Sequence, residues 1–227
     1  MKLGLVGSEM CIRDSYLYYS KHLHILLAFP NTYYGSVKPK GQLDNIKAVT
    51  NEVKLMMDPD ADPYAAVDED TETQDKFGAS DVQDLNWVHL LNAYTCTECG
   101  RCTSECPANQ TGKKLSPRKI MMDTRDRLVE VGNNIDTNNG EFKADGKQLL
   151  GDYITNEELW ACTSCNACVE ACPISIDPLS IILEMRRYLV MEQSAAPVEL
   201  NNMMSNIENN GAPWPYNQMD RLNWKNE

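Results

Sequence analysis

A mainly α-helical fold is what this sequence predicts, and three observations predict it. Residues with helix-starting chemistry stand directly before apolar stripes of helical spacing at Ser116-Pro117, Thr155 to Glu158 and Asp177-Pro178. There a short side-chain oxygen can accept from the first free backbone N–H groups, and proline fits the first turn because its missing donor is not needed. Eight of the nine cysteines fall into two runs of one pattern, Cys96, Cys99, Cys102, Cys106-Pro107 and Cys162, Cys165, Cys168, Cys172-Pro173. Each run lies between a lead-in helix and a capped exit helix, so the chain reads as a twofold internal repeat.

The spacing of both runs is C-x-x-C-x-x-C-x-x-x-C-P, in which three closely spaced thiolates hold three irons of a [4Fe-4S] cube and the fourth cysteine serves the other cluster. Two [4Fe-4S] clusters are therefore the expected cofactors. Cys96, Cys99 and Cys102 are assigned to the first with Cys172, and Cys162, Cys165 and Cys168 to the second with Cys106. The competing reading is zinc, since Cys-x-x-Cys pairs also build four-cysteine sites, which would make the chain a zinc-stabilised interaction module. Zinc requires neither a third cysteine two residues after a pair nor a proline after the fourth, and both features occur twice. Disulfides fit worse, because thiols packed this tightly, without other secretory features, suit metal ligands in a reducing compartment. A cube held by four thiolates has no open iron, so the expected chemistry is one-electron transfer with no catalytic residue. No G-x-G-x-x-G, P-loop or G-x-S-x-G competes with it.

A net charge of −12 and a pI near 4.7 argue against a nucleic-acid partner, whose phosphates would repel this surface. With 42% hydrophobic residues and a mean hydropathy of −0.46, the expected core is modest and the clusters supply part of the folding free energy. No apolar run approaches the length of about 18 residues that a membrane span requires.

Residues 1–15 set up no periodicity, and Glu9 to Ser15 resembles a translated sequencing-library adapter. This leader is set aside as non-native, and with it Cys11. Residues 16–57 read as a membrane-proximal segment. Tyr16 to Tyr34 is the most apolar and aromatic stretch, suited to the end of a helix that Pro30 terminates, with flanking tyrosines and Lys21 suited to an interface. A short helix is expected near Asp44 to Met57. Residues 58–80, where eight aspartates and glutamates precede a lone Lys76, read as an acidic linker.

The two-cluster domain spans residues 81–195. A helix over residues 81–94, capped by Ser80 or Asp81, carries Val82, Leu85, Val88 and Leu91 on one side and leads into Cys96. After the first run, Ser116-Pro117 opens a helix with Ile120, Met121, Thr124, Leu128 and Val131 on one face, expected to end at Gly132. Thr155 and Glu158 form a capping box before Cys162. Asp177-Pro178 opens the exit helix with Leu179, Ile182, Met185 and Leu189. Residues 196–227 add a helix closed by Gly211 and a tail rich in proline and tryptophan, expected to wrap back onto the domain.

The helical setting of both runs, Ser116-Pro117-Arg118, Leu159-Trp160-Ala161-Cys162 and the tail from Trp214 to Trp224 resemble the α-helical ferredoxin module of heterodisulfide reductase-type iron-sulfur subunits. The resemblance implies two [4Fe-4S] clusters between short helices, beside a less ordered N-terminal part. It implies an electron-transfer subunit, or a fragment of an iron-sulfur oxidoreductase whose catalytic domain lies elsewhere. The implied partners are a redox donor and a catalytic subunit, with the full-length protein at the cytoplasmic face of a membrane. Residues 16–57 resemble the juncture where a membrane segment similar to the nitrate reductase gamma subunit precedes such a module. That implies haem b in the full-length protein, with His22 or His24 as a candidate ligand.

Overall fold

The computed structural model describes residues 16–17, 20, 22–37, 39, 41–43, 45–57 and 76–225. The leader with Cys11, and the acidic linker as far as residue 75, lie outside them. Among the described residues the regular structure is helical, apart from an isolated bridge between Leu150 and Ile154. In chain order the helices are α1 (Leu23–Tyr34), α2 (Lys47–Met57), α3 (Trp87–Thr95), α4 (Arg101–Ser104), α5 (Pro107–Gln110), α6 (Pro117–Thr137), α7 (Asn156–Ala161), α8 (Ala167–Glu170), α9 (Pro178–Met191) and α10 (Val198–Asn210), with 3₁₀ turns at Val82–Asp84 and Gln218–Lys225 and a distorted π-type turn at Leu149–Tyr153.

The expected caps form. Ser116, Thr155 and Asp177 accept from the backbone N–H of Lys119, Glu158 and Ser180, and Glu158 reaches back to Thr155 N at 2.9 Å to complete the capping box. The long exit helices α6 and α9 pack against one another, with α3 against α6 and the short α4 facing α8. Between them lies one continuous core. Val82, Ile120, Met121, Leu149, Ile154, Leu159, Ile182, Met185 and Leu189 are all within 1% of complete burial, and each large apolar side chain so buried contributes about 1.5–3 kcal/mol. Hydrophobic contact thus joins the two halves, with Cys106 inside the core and Cys96, Cys162 and Cys172 packed against it.

Four expectations about elements are corrected. The helix expected over residues 81–94 is broken at Leu85 and Asn86. Asp81 and Asp84 close a capping box around the 3₁₀ turn, and Asn86 caps a fresh start for α3. Gly132 does not end α6, which continues to Thr137; a glycine inside a helix costs only about 1 kcal/mol. Pro30 lies within α1 rather than at its end. That helix is held by the domain: Asn31 is buried and donates Nδ2–H to the Ile174 carbonyl at 3.1 Å, and the Tyr34 ring meets Trp87 edge-on at 4.9 Å. Tertiary contact overrides the local preference. Last, the tail turns back on α10, where Arg221 donates to the Asn210 carbonyl, while Trp214 and Trp224 remain exposed.

Two features lock the start of the domain. Gly78 has φ +75°, and a Cβ there would lie 2.3 Å from the Glu184 carbonyl and 2.5 Å from Tyr188 N, so only glycine allows this strand of chain onto α9. Beside it Ala79 donates to the Glu184 carbonyl at 3.1 Å. Arg127, fully buried in mid-α6, donates Nη2–H to Asp81 at 2.7 Å and to the Lys147 carbonyl at 2.8 Å, and Nη1–H to Asp145 at 2.5 Å. The guanidinium ties the entry turn, α6 and the loop before Leu149 together.

Candidate iron-sulfur centre

Each cysteine run is shaped by the same backbone device. The first cysteine, Cys96 or Cys162, leaves the lead-in helix in extended conformation. The chain then passes through two left-handed residues, Glu98 (φ 60°) and Gly100 (φ 83°) in the first run, Ser164 (φ 56°) and Asn166 (φ 61°) in the second. Glycine and asparagine are the residues that adopt this conformation most readily. The curled segment ends in a one-turn helix, α4 or α8, carrying Cys102 or Cys168. Cys106 is the residue before Pro107 at the start of α5 and is buried. The repeat inferred from spacing is thus present at the level of single φ angles.

The two loops face one another through α4 and α8. A cavity of about 190 Å³ opens at the first, lined by Cys96, Cys99, Cys102, Cys172, Cys168 and His24 among others. Among the described residues, no three His, Cys, Asp or Glu side chains meet closely enough for a single ion; the thiols surround a space. All eight cysteines are free.

Burial pushes the thiols of Cys96, Cys102 and Cys162 above their usual range, and that of Cys168 up to about 12. Neighbouring thiolates would push in the same direction. Cys96 and Cys102 both feel Cys99 and Cys172, while Cys162 feels Cys106 and Cys165. Cys168 feels Cys162 and, from the other run, Cys102. Backbone N–H groups oppose the rise: Glu98 donates to Cys96, and Ser164 to Cys162 Sγ at 3.4 Å. A thiol raised by burial becomes a thiolate when a metal supplies the compensating charge. Soft sulfur donors around a cavity suit an iron-sulfur cube.

His22 lies exposed just before α1, whereas His24 lines the cavity. The spacing of these residues gave no sign that α1 would close over the first cysteine run. Removing residues 1–57 from the cluster-loaded chain is expected to speed the bleaching of its visible absorbance in air severalfold. Equal rates for the full and shortened chains would show that α1 does not shield the site. Arg186 carries no local signal of a role either, because its partners lie in α7 and the loop beyond: it donates to the Leu159 carbonyl at 2.6 Å and lies 4.9 Å from the Trp160 ring centre.

The model of the 4Fe-4S dicluster domain matches residues 95–176, which contain both runs. A probable iron-sulfur-binding oxidoreductase, FadF, of Bacillus subtilis is 31% identical over 93% of this chain and 31% of its own length. The EtfAB:quinone oxidoreductase of Syntrophomonas wolfei is 33% identical over 69% of the chain and 24% of its own length. A subunit of the ferredoxin/F(420)H(2)-dependent CoB-CoM heterodisulfide reductase of Methanosarcina acetivorans is 34% identical over 47% of the chain and 52% of its own length. The chain therefore spans about a third or less of the first two relatives and about half of the third. Residues 95–176 are a 4Fe-4S dicluster domain, set among α-helices in a chain homologous to a heterodisulfide reductase subunit and to iron-sulfur oxidoreductases.

Proposed function

We propose that this chain relays single electrons between a redox donor and a separate catalytic subunit or domain, as the electron-transfer part of a heterodisulfide reductase-like iron-sulfur oxidoreductase. The observation that carries this reading is the pair of like-shaped cysteine loops facing each other, with Cys172 of the second run in the cavity of the first. When bound, each cluster accepts or gives up one electron. The protein's part is to hold the sulfurs, exclude water and point N–H groups at them. Cys96, Cys99, Cys102 and Cys172 are the proposed ligands of the first cluster, and Cys162, Cys165, Cys168 and Cys106 of the second. Cys99 and Cys165 are exposed, so each cluster would come nearest to solvent, and to a partner, at the middle of its run.

A place at the cytoplasmic face of a membrane is supported by the cysteine runs, which as metal ligands suit a reducing compartment, and by the similarity to a probable membrane-anchored ferredoxin of Chromohalobacter salexigens, 32% identical over 65% of this chain. No described helix is long and apolar enough to cross a membrane. Haem b in a longer form of the protein would draw on His22 or His24, and His24 already faces the cysteine cavity.

Anaerobic purification followed by metal and sulfide analysis tests the proposal. About eight iron and eight inorganic sulfide per chain are expected for two cubes, with full reduction taking up two electrons. A colourless protein containing zinc and no sulfide would establish the interaction-module reading instead. Turnover of a disulfide or 2-hydroxy acid by the chain alone with a dye would mean that it is a complete oxidoreductase.

A further inference from the structure

The repeat places an arginine at the same position of both exit helices: Arg125 and Arg186 follow Pro117 and Pro178 at equal distance along α6 and α9. Each reaches the left-handed residue two positions after the first cysteine of its run. That residue is Glu98 in the first half and Ser164 in the second, and its backbone N–H donates to the sulfur of that first cysteine. The two halves then diverge. Arg125 pairs with the Glu98 carboxylate at 2.8 Å and with Asp126 at 3.1 Å, so its charge is matched at once. Arg186 meets no carboxylate among the ion pairs of the described residues. Its Nε–H and Nη2–H go to the Leu159 carbonyl at 3.1 and 2.6 Å, Nη2–H also to the Cys162 carbonyl at 2.5 Å, and Nη1–H to Ser164 Oγ at 3.3 Å. The guanidinium also lies over the face of Trp160. Carbonyls and a ring fix the guanidinium without cancelling its charge.

Resting on the reading of these cysteines as cluster ligands, we propose that Arg186 raises the reduction potential of the second cluster, and that Glu98 cancels the same effect of Arg125 at the first. Reduction adds one electron, and therefore one negative charge, to a cube. A fixed cation beside a ligand favours that state more than the oxidised one, and charge and hydrogen bonds near the sulfurs are what tune such potentials. Partial burial weakens solvent screening of the interaction. Other charges stand close to each site. Asp177 lies near Cys168 and opposes Arg186, while tied into the cap of α9 by accepting from Ser180 N at 3.0 Å. Arg101 and Arg118 line the first cavity but are exposed, where salt screens them. All three stay unchanged in the variants that decide the matter. Arg125 and Arg186 are positioning residues, acting through the sulfur ligands, and residues 98 and 164 decide whether their charge is felt.

The test is a redox titration of the full, cluster-loaded chain with dithionite, followed by electron paramagnetic resonance. The second cluster is identified as the one whose signal changes in Cys165→Ser. Arg186→Gln and Ser164→Glu should each lower its potential, by at least a tenfold shift in the ratio of reduced to oxidised form, and leave the other potential unmoved. Arg186→Lys, which keeps the charge and loses the fork, should retain most of the original value. Glu98→Gln should raise the potential of the first cluster. An unmoved second potential in Arg186→Gln with full iron content overturns the proposal. So does an equal fall in Arg186→Lys, which would mean that the arginine acts by bracing the loop. If Arg186→Gln loses the second cluster, Ser164→Glu decides, since the arginine stays in place and only its charge is met. A wild-type chain without iron and sulfide would instead refute the cluster reading itself.

Discussion

Replacement of Arg127 by Met is expected to destabilise the folded chain by about 3–5 kcal/mol, the usual cost of removing one partner from a buried ion pair. The side chain is completely buried, and Asp81 and Asp145, which are only 14% and 25% exposed, would be left without their cation. The loss does not stop at a salt bridge. Asp81 also accepts from Val82 N at 2.8 Å and Leu149 N at 3.3 Å, so the turn that opens the domain and the loop packed beneath it share the same carboxylate. Denaturant unfolding of anaerobic, cluster-loaded protein measures the effect, and a change below about 1 kcal/mol would mean the network contributes no more than an exposed pair. The pH dependence has a definite sign. Hydrogen bonding from Arg127 holds the Asp145 carboxyl at about 2, against its ordinary 3.8. A carboxylate depressed on folding stabilises the native state above its unfolded value and ceases to do so as pH falls through its folded one. The wild-type chain should therefore lose stability between about pH 4 and pH 2, and Arg127→Met should show a flatter profile there.

The second large effect concerns the fourth cysteine of each run. If ligation is crossed, Cys172→Ala should alter the same spectroscopic signal as Cys99→Ala, and Cys106→Ala the same signal as Cys165→Ala. Iron and sulfide per chain should fall by up to half in each. The double variant Cys99→Ala/Cys172→Ala should lose little beyond either single change, because both act on one cube. The pairing Cys99→Ala/Cys106→Ala should abolish both signals. The opposite pattern, with Cys106 grouping with Cys99, would mean that each run closes on its own cluster. The physical ground for the crossed expectation is that Cys172 lines the same cavity as Cys96, Cys99 and Cys102, whereas Cys106 does not.

What could be read from the sequence was local. Both cysteine runs, the Thr155–Glu158 box, the Asp177-Pro178 start and the stripe through Leu179, Ile182, Met185 and Leu189 depend on residues within a few positions of one another, and the structure keeps them. What could not be read depends on partners far along the chain. Pro30 stays inside α1 because Asn31 is anchored to Ile174. Arg127 falls at the spacing of the buried face of α6, between Thr124 and Val131, but the carboxylates of Asp81 and Asp145 that meet it there lie far along the chain. The break at Leu85 and Asn86 is an intermediate case: its signals, Asp81, Asp84 and Asn86, are all local, but the apolar spacing from Val82 to Leu91 runs across it and masks them. The tryptophans of the tail show the limit of reading composition as burial, since Trp224 is 72% exposed.

The cavity that holds Cys96, Cys99 and Cys102 takes part of its wall from Cys172 and Ile174, at the far end of the repeat. On a ribosome the first run emerges well before the residues that complete this wall. A nascent chain ending before Cys172 would already display both cysteine triads, yet neither the closed cavity nor the α9 surface on which the entry segment at Gly78 rests. Metal delivered to such an intermediate would find exposed thiols without their final spacing. If the first site takes a cluster, its full wall would exist only once the second half has been synthesised and folded back.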